Sequence, residues 1–138
     1  MGTHMVKSWS TTQSVIALSS GEAEYYGLVK GSSHAMGIRS LAADMGVDMS
    51  IRVRTDSSAA KGIASRAGLG KVRHIEVAQL WVQEKVRNGE ITLEKVDGKV
   101  NLADCLTKYL DKEGIEWHLR ETGQRISPGR HNLCPETV

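Results

Sequence analysis

Alternation between strand-type and helix-type sequence most limits how this chain can fold. Residues 50–56 place Ile51, Val53 and Thr55 on one side and charged side chains on the other, which is the period of a β-strand. Apolar residues at helical spacing precede this strand and follow it. We therefore predict an α/β layer structure with a mainly parallel central sheet flanked by helices.

The same two periods predict the individual elements. Ser19 and Glu22 form a capping box at the start of the first helix, and Gly46 ends it. Strands are predicted over 10–18, 50–56 and 90–96, and helices over 20–46, 58–66, 72–88, 102–110 and 112–122. Residues 123–138 are rich in Gly, Pro, Arg and Asn and are expected to form an irregular tail.

Length and composition favour one domain. The chain has 138 residues, of which 40% are hydrophobic and 25% charged, so collagen-like, mucin-like and disordered classes are excluded. Residues 1–5 resemble a cloning remnant, which leaves a domain over 6–122. No apolar run approaches the ~20 residues of a membrane span, so we expect an intracellular protein with no membrane partner. Cys105 and Cys134 are expected to be reduced.

Positive charge is concentrated in the middle of the chain. Residues 51–89 contain eight Lys and Arg against three Asp and Glu, whereas the whole chain has a net charge of +2. This surplus fits a polyanionic partner, and it fits a solvated basic face equally well. Lys71 and Arg73 follow a Gly-rich turn and are the candidate nucleic-acid-binding residues, with a solvated basic loop as the alternative.

Acidic residues at strand ends and helix starts are the candidate metal ligands. Glu24 lies one turn into the first helix, where the helical wheel predicts an inward direction, whereas Glu22 is predicted to point the other way. Asp56 ends the second strand, at the edge where open α/β sheets place active sites. Asp104 lies near the start of the helix that Asn101 begins. As structural alternatives, Glu24 and Asp104 would complement helix dipoles, and Asp56 would belong only to the cap of the next helix, formed by Asp56 or by Ser57.

Several short motifs follow one another between Trp9 and Leu110. They are Ala17-Leu18-Ser19, Glu22-Ala23-Glu24-Tyr25, Thr55-Asp56-Ser57-Ser58-Ala59, Arg73-His74-Ile75-Glu76 and Leu102-Ala103-Asp104-Cys105-Leu106-Thr107-Lys108. In order and spacing this series resembles the RNase H domain at the C-terminal end of copia-type retrotransposon polyproteins. The second and the last motif are the most specific of them.

The resemblance implies a truncated RNase H-like three-layer fold and a metal-dependent endonuclease. RNase H enzymes bind two Mg²⁺ or Mn²⁺ ions with an Asp-Glu-Asp-Asp set, in which Glu24, Asp56 and Asp104 match the second, third and fourth members. In that family the ions assist hydrolysis of the RNA strand of an RNA–DNA hybrid. These three residues are therefore the implied catalytic and metal-binding residues, with an RNA–DNA hybrid or another nucleic acid as the partner.

The first Asp of the family set has no counterpart, because the first family strand and its hairpin would precede Trp9. We therefore expect an incomplete metal site and weak or absent cleavage. Asp97 is a candidate substitute ligand, although its turn with Gly98 also explains it. The alternative is a catalytically inactive RNase H-fold protein that binds nucleic acid or itself. Open sheet edges beside the missing strand predict a homodimer, or an internal rearrangement of residues 6–18.

Overall fold

The computed structural model describes residues 5–71, 75–126 and 129, and it divides them between two compact units. Thr11–Asn101 is the larger unit, and the described parts of Met1–Ser10 and Leu102–Val138 form the smaller one. The larger unit contains helix α1 (Ser20–Asp44), strand β1 (Ile51–Thr55), helix α2 (Ser58–Ser65), helix α3 (Trp81–Arg87), strand β2 (Ile91–Lys95) and two short 3₁₀ helices (Val77–Gln79, Gly98–Val100). The smaller unit contains a 3₁₀ helix (Leu102–Leu106) and helix α4 (Lys112–Glu121).

The sheet of the larger unit pairs β1 with β2 in parallel. Ile51 lies opposite Ile91 and Thr55 lies opposite Lys95, in one continuous register. Parallel strands need a crossover connection, which residues 56–90 supply with α2 and α3. The mixed helix-and-strand class and the parallel pairing are therefore confirmed, and the full RNase H-like three-layer fold stays a proposal.

The two faces of this sheet differ as the alternation in the sequence predicts. Ile51 and Ile91 are buried, and α1, α2 and α3 pack on the strands. On the other face Arg52 and Arg54 are exposed, and both bind the Glu94 carboxylate, with Nε to oxygen distances of 3.0 and 3.1 Å. A two-stranded sheet thus supplies one apolar face to the core and one charged face to its surroundings.

Helix α1 begins at the predicted Ser19 cap, but Glu22 reaches back to Leu18 and not to Ser19 as a capping box would require. Ser19 Oγ accepts a hydrogen bond from the Glu22 N–H at 3.2 Å, and the Glu22 carboxylate accepts one from the Leu18 N–H at 2.9 Å. The helix ends at Asp44, two residues before the predicted end at residue 46. Although α1 has 25 residues, no helix in the described part of the chain is long and apolar enough to cross a membrane.

The predicted strand over 10–18 is wrong. Residues 10–18 form no strand, and Ile16 and Leu18 are 86% and 71% exposed. A β-branched segment becomes a strand only where a neighbour accepts its backbone hydrogen bonds, and the sheet in the described residues contains β1 and β2 alone. The Gln13 side chain instead donates to the Ala23 carbonyl at 2.6 Å, which holds the segment against α1.

The predicted helix over 72–88 is wrong in its first half. Residues 72–74 lie outside the described residues, Glu76 has an extended backbone with ψ of 134°, and regular α-helix begins only at Trp81. The Tyr25 hydroxyl donates to the Gln79 carbonyl at 2.7 Å, so this carbonyl serves a tertiary contact at the point where the helix was expected to continue. Tertiary packing therefore overrides the apolar spacing in this segment.

The helix predicted over 102–110 is also shorter than expected. It is a 3₁₀ helix that ends at Leu106, after which the N–H groups of Thr107 and Lys108 both donate to the Asp104 carbonyl. Sharing one carbonyl in this way is typical of a terminating turn. The other predicted elements are confirmed within one residue at each end: they are β1, β2, α2 and α4.

Tyr25 is the largest fully buried side chain of the described residues. It lies in a core with Ile63, Ala64 and Val82, where α1 meets α2 and α3. Close packing at this junction also explains Gly21, since a β-carbon there would lie 2.8 Å from Ala59 Cβ of α2. With Phe absent from the chain, Tyr25 supplies much of the apolar area that anchors α1.

Burial raises the pKa of Tyr25 from its ordinary 10.0 to about 12. The folded state therefore favours the neutral phenol. The free energy of unfolding keeps its full value below pH 10, and part of it is lost as the pH rises towards 12. We expect the free energy of unfolding to fall by roughly 2–3 kcal/mol over that interval. Urea unfolding at a series of alkaline pH values measures it, and Tyr25→Phe should remove this part of the pH dependence. An unchanged profile in the variant would contradict the assignment.

Candidate functional site

Asp56 lies directly after β1, at the carboxyl end of the parallel pair. Ser57, rather than Asp56, caps the following helix, because Ser57 Oγ accepts from the Ala60 N–H at 3.1 Å. The Ser57 N–H in turn donates to Thr55 Oγ1 at 3.1 Å. Within the described residues the Asp56 carboxylate forms no hydrogen bond or ion pair. The cap that was the structural alternative for Asp56 is thus formed by its neighbour, and the carboxylate is available to a ligand.

The turn after β2 borders this carboxylate. A β-carbon on Gly98 would lie 3.5 Å from Asp56 Oδ2, an ordinary van der Waals distance, so the backbone of this turn lies beside the carboxylate. Asp97 accepts a hydrogen bond from the Lys99 N–H at 2.9 Å and caps the 3₁₀ helix that begins at Gly98. The candidate substitute ligand therefore has a structural role in its own turn, as its pairing with Gly98 suggested.

Glu22 and Glu24 lie the opposite way round from the helical-wheel prediction. Glu22 is 3% exposed, whereas Glu24 is exposed. The predicted inward direction of Glu24 is therefore wrong, and so is the predicted outward direction of Glu22. The burial of Glu22 is compensated by its hydrogen bond to the Leu18 N–H.

The reason is that two adjacent tyrosines determine which face of α1 is buried. Tyr25 and Tyr26 are both in the core, and their buried neighbours lie at Val29 and Ser32, one and two turns further on. Ala35, which lies on the same side of the helix as Glu24, is only half-buried. Large aromatic rings contribute more apolar area than Ala or Gly, so they set the buried face.

Asp104 lies in the smaller unit, in the 3₁₀ helix Leu102–Leu106. Its Oδ2 accepts from Lys108 Nζ at 2.6 Å, in an ion pair between residues four apart. Lys108 closes the same motif that contains Asp104, so the motif supplies both a carboxylate and its counter-charge. A cation that binds Asp104 must therefore compete with Lys108.

The three predicted ligands are distributed over both units, with Glu24 and Asp56 in the larger and Asp104 in the smaller. Among residues 5–71, 75–126 and 129, no group of three Asp, Glu, His or Cys side chains is arranged to hold a metal ion. Comparison with known proteins finds no matching family model and no matching solved structure. The assignments at these three positions therefore rest on the motifs, and they stay predictions.

Of the predicted nucleic-acid-binding residues, Lys71 is exposed and Arg73 lies outside the described residues. The loop that leads to Lys71 is held by Gln83, which is 4% exposed. Gln83 Oε1 accepts from the Gly68 N–H at 2.9 Å, and its Nε2 donates to the carbonyls of Ile63 and Gly68 at 2.8 and 3.0 Å. Sequence reasoning missed Gln83. The one signal in the sequence was that Gln83 follows Val82, an apolar residue of the predicted helix.

A cysteine–histidine pair that the sequence did not predict lies in the smaller unit. Cys105 Sγ and His118 Nε2 are 3.0 Å apart, between the 3₁₀ helix and α4. Burial, together with the nearby Asp104 charge, raises the pKa of the Cys105 thiol above its ordinary value. Cys105 is therefore a protonated, free thiol, as the sequence predicted, and Cys134 lies outside the described residues.

Proposed function

We propose that this chain carries an RNase H-like endonuclease domain that hydrolyses the RNA strand of an RNA–DNA hybrid with the help of divalent cations. The observation that best supports the proposal is the Asp56 carboxylate, which follows a parallel strand and has no partner among the described residues. The carboxyl ends of parallel strands are where open α/β sheets gather their ligands. The order of α1, β1, α2 and β2 also agrees with the fold that the motifs imply.

The chemistry of the proposed ligands suits a hard cation. Carboxylate oxygens are what Mg²⁺ prefers in proteins, and Glu24, Asp56 and Asp104 are assigned as ligands by the motifs. Bound Mg²⁺ would supply the Lewis acidity that activates water and stabilises the departing oxygen. Asp56 contributes an unpaired carboxylate, whereas Asp104 would have to exchange its bond with Lys108.

Cleavage of a hybrid labelled on its RNA strand tests the proposal. With Mg²⁺ or Mn²⁺ we expect slow cleavage of the RNA strand that leaves 5′-phosphate ends, and with EDTA we expect none. The DNA strand of the same hybrid and a DNA duplex of the same sequence should stay intact. Equal cleavage with and without the metal would contradict the proposal.

A binding role without catalysis is the second candidate. Two observations favour it: Glu24 is exposed, and the Asp104 carboxylate already forms an ion pair with Lys108. The same experiment separates the two, because a binding protein would shift the mobility of the hybrid and leave the RNA intact even in Mn²⁺. Within this candidate, Lys71 and Arg73 are the proposed contacts to phosphate.

The proposed protein partner is a second copy of this chain. In the described residues β1 pairs with β2 along one edge, and no strand occupies its other edge. Unpaired strand edges recruit further strands, and a two-fold axis lets a second copy supply one. Light scattering at several concentrations should show a mass that approaches twice that of the chain. A monomeric mass throughout would contradict the dimer without bearing on nuclease activity.

A further inference from the structure

The loop from Arg66 to Lys71 carries two cations without acidic partners. Neither side chain forms an ion pair in the described part of the chain. Arg66 is half-buried: its Nη2 donates to the Leu69 carbonyl at 2.6 Å, while its Nε is buried and has no hydrogen-bond partner among the described residues. The guanidinium is thus partly desolvated without a counter-charge, and an anion at its accessible side would compensate the positive charge.

The loop that surrounds Arg66 has a fixed conformation. Gly68 and Gly70 have φ of 74° and 59°, a backbone region that residues other than glycine rarely adopt. A β-carbon on Gly70 would lie 2.7 Å from Arg66 Cζ, so the guanidinium packs directly on the Gly70 backbone. Gln83 holds the other side of the loop with its three hydrogen bonds to Gly68 and Ile63.

We propose that this loop is a preformed site for a backbone phosphate of a nucleic acid, with Arg66 as the phosphate contact and Gln83 as a positioning residue. Nη1 of Arg66 is the donor for the phosphate, since Nη2 donates to the Leu69 carbonyl and Nε is buried, and Lys71 adds a second positive charge at the end of the loop. Because hydrogen bonds from Arg66 and Gln83 hold the loop without a ligand, binding has less ordering entropy to supply. The proposal rests on the nucleic-acid partner of the proposed function and names the contact.

Replacing Arg66 by Gln tests the contact. Measured by fluorescence anisotropy with a short RNA–DNA hybrid in EDTA, Arg66→Gln should weaken binding about tenfold and lower the slope of log affinity against log salt by about 1. Arg52→Gln is the matched control, since it removes the same charge from an exposed arginine that already binds Glu94. We expect less than about a twofold change there. Equal losses in both variants would overturn the proposal, because they would show that only total charge matters.

Two variants that keep the charge test the positioning. Gly70→Ala should displace the guanidinium, and Gln83→Met should release Gly68, so each should weaken binding although the net charge of the chain is unchanged. In an Arg66→Gln background neither change should weaken binding further, because the contact that they position is gone. Additive losses would overturn the positioning role. If Gln83→Met fails to fold, the Gly70→Ala pair still decides it.

The outcomes separate this proposal from the function on which it rests. If the unaltered chain binds no hybrid, the nucleic-acid partner is wrong and this inference is wrong with it. If the chain binds and Arg66→Gln has no effect, only the inference is wrong. Inorganic phosphate is the second probe: competition at low concentration would indicate a site for free phosphate and would overturn the assignment to a nucleic-acid backbone.

Discussion

Asp56→Asn is expected to reduce Mg²⁺-dependent cleavage of an RNA–DNA hybrid about 100-fold or more. The substitution keeps the size of the side chain and one oxygen but removes the charge that attracts the cation, and a catalytic metal supplies several kcal/mol of transition-state stabilisation. The fold should not change, because Ser57 caps α2 and Asp56 has no partner among the described residues. The rate of RNA cleavage and a Mn²⁺ titration of both proteins measure the effect.

Asp97→Asn is the matched control for this experiment. It makes the same chemical change at the turn that borders Asp56, and asparagine can still accept the hydrogen bond from the Lys99 N–H. We therefore expect cleavage within about twofold of the unaltered chain, since one oxygen acceptor remains where the turn needs it. If Asp97→Asn abolishes cleavage and Asp56→Asn does not, Asp97 is the ligand and the assignment of Asp56 is wrong.

Ile91→Ala is expected to lower the free energy of unfolding by about 3 kcal/mol. Ile91 is 1% exposed and lies opposite Ile51 at the first position of the parallel pair, so truncation leaves a cavity between β2 and the helices. Such a loss is a large fraction of the stability of an ordinary domain. Urea unfolding followed by the fluorescence of the tryptophans measures it.

Thr92→Ala is the control for Ile91, one residue along the same strand. Thr92 is exposed on the opposite face, so its truncation removes little buried surface. We expect a change within about 0.5 kcal/mol. Similar losses from the two variants would mean that the faces of β2 are not divided as the structure shows.

Sequence periodicity predicts the elements whose apolar faces are set locally. The period-two pattern of 50–56 became β1 because β2 supplies the parallel partner that a strand needs, and the Ser19 cap became the start of α1 because a cap depends only on nearby residues. The strand at 10–18 failed for the opposite reason, since a strand exists only with a partner. The helix predicted over residues 75–80 is wrong because the Tyr25 hydroxyl, far away in the sequence, donates to the Gln79 carbonyl.

The candidate site shows the same division. The position of Asp56 at a strand end could be predicted, because it follows from the strand itself. The directions of Glu22 and Glu24 do not follow from spacing alone, because the large rings of Tyr25 and Tyr26 set the buried face of α1. The role of Gln83 could not be predicted either, since its two partner residues, Gly68 and Ile63, lie fifteen and twenty residues away.

Parallel pairing of β1 with β2 has a consequence for synthesis of the chain. Residues 56–90 separate the two strands, so β1 leaves the ribosome well before its partner exists. During that interval an extended, β-branched segment is exposed to other nascent chains. Arg52 and Arg54 interrupt its apolar residues at every second position, and such charges oppose aggregation until Glu94 arrives to pair with both. The two arginines thus oppose aggregation of the unpaired strand during synthesis, and they form ion pairs with Glu94 once the sheet has formed.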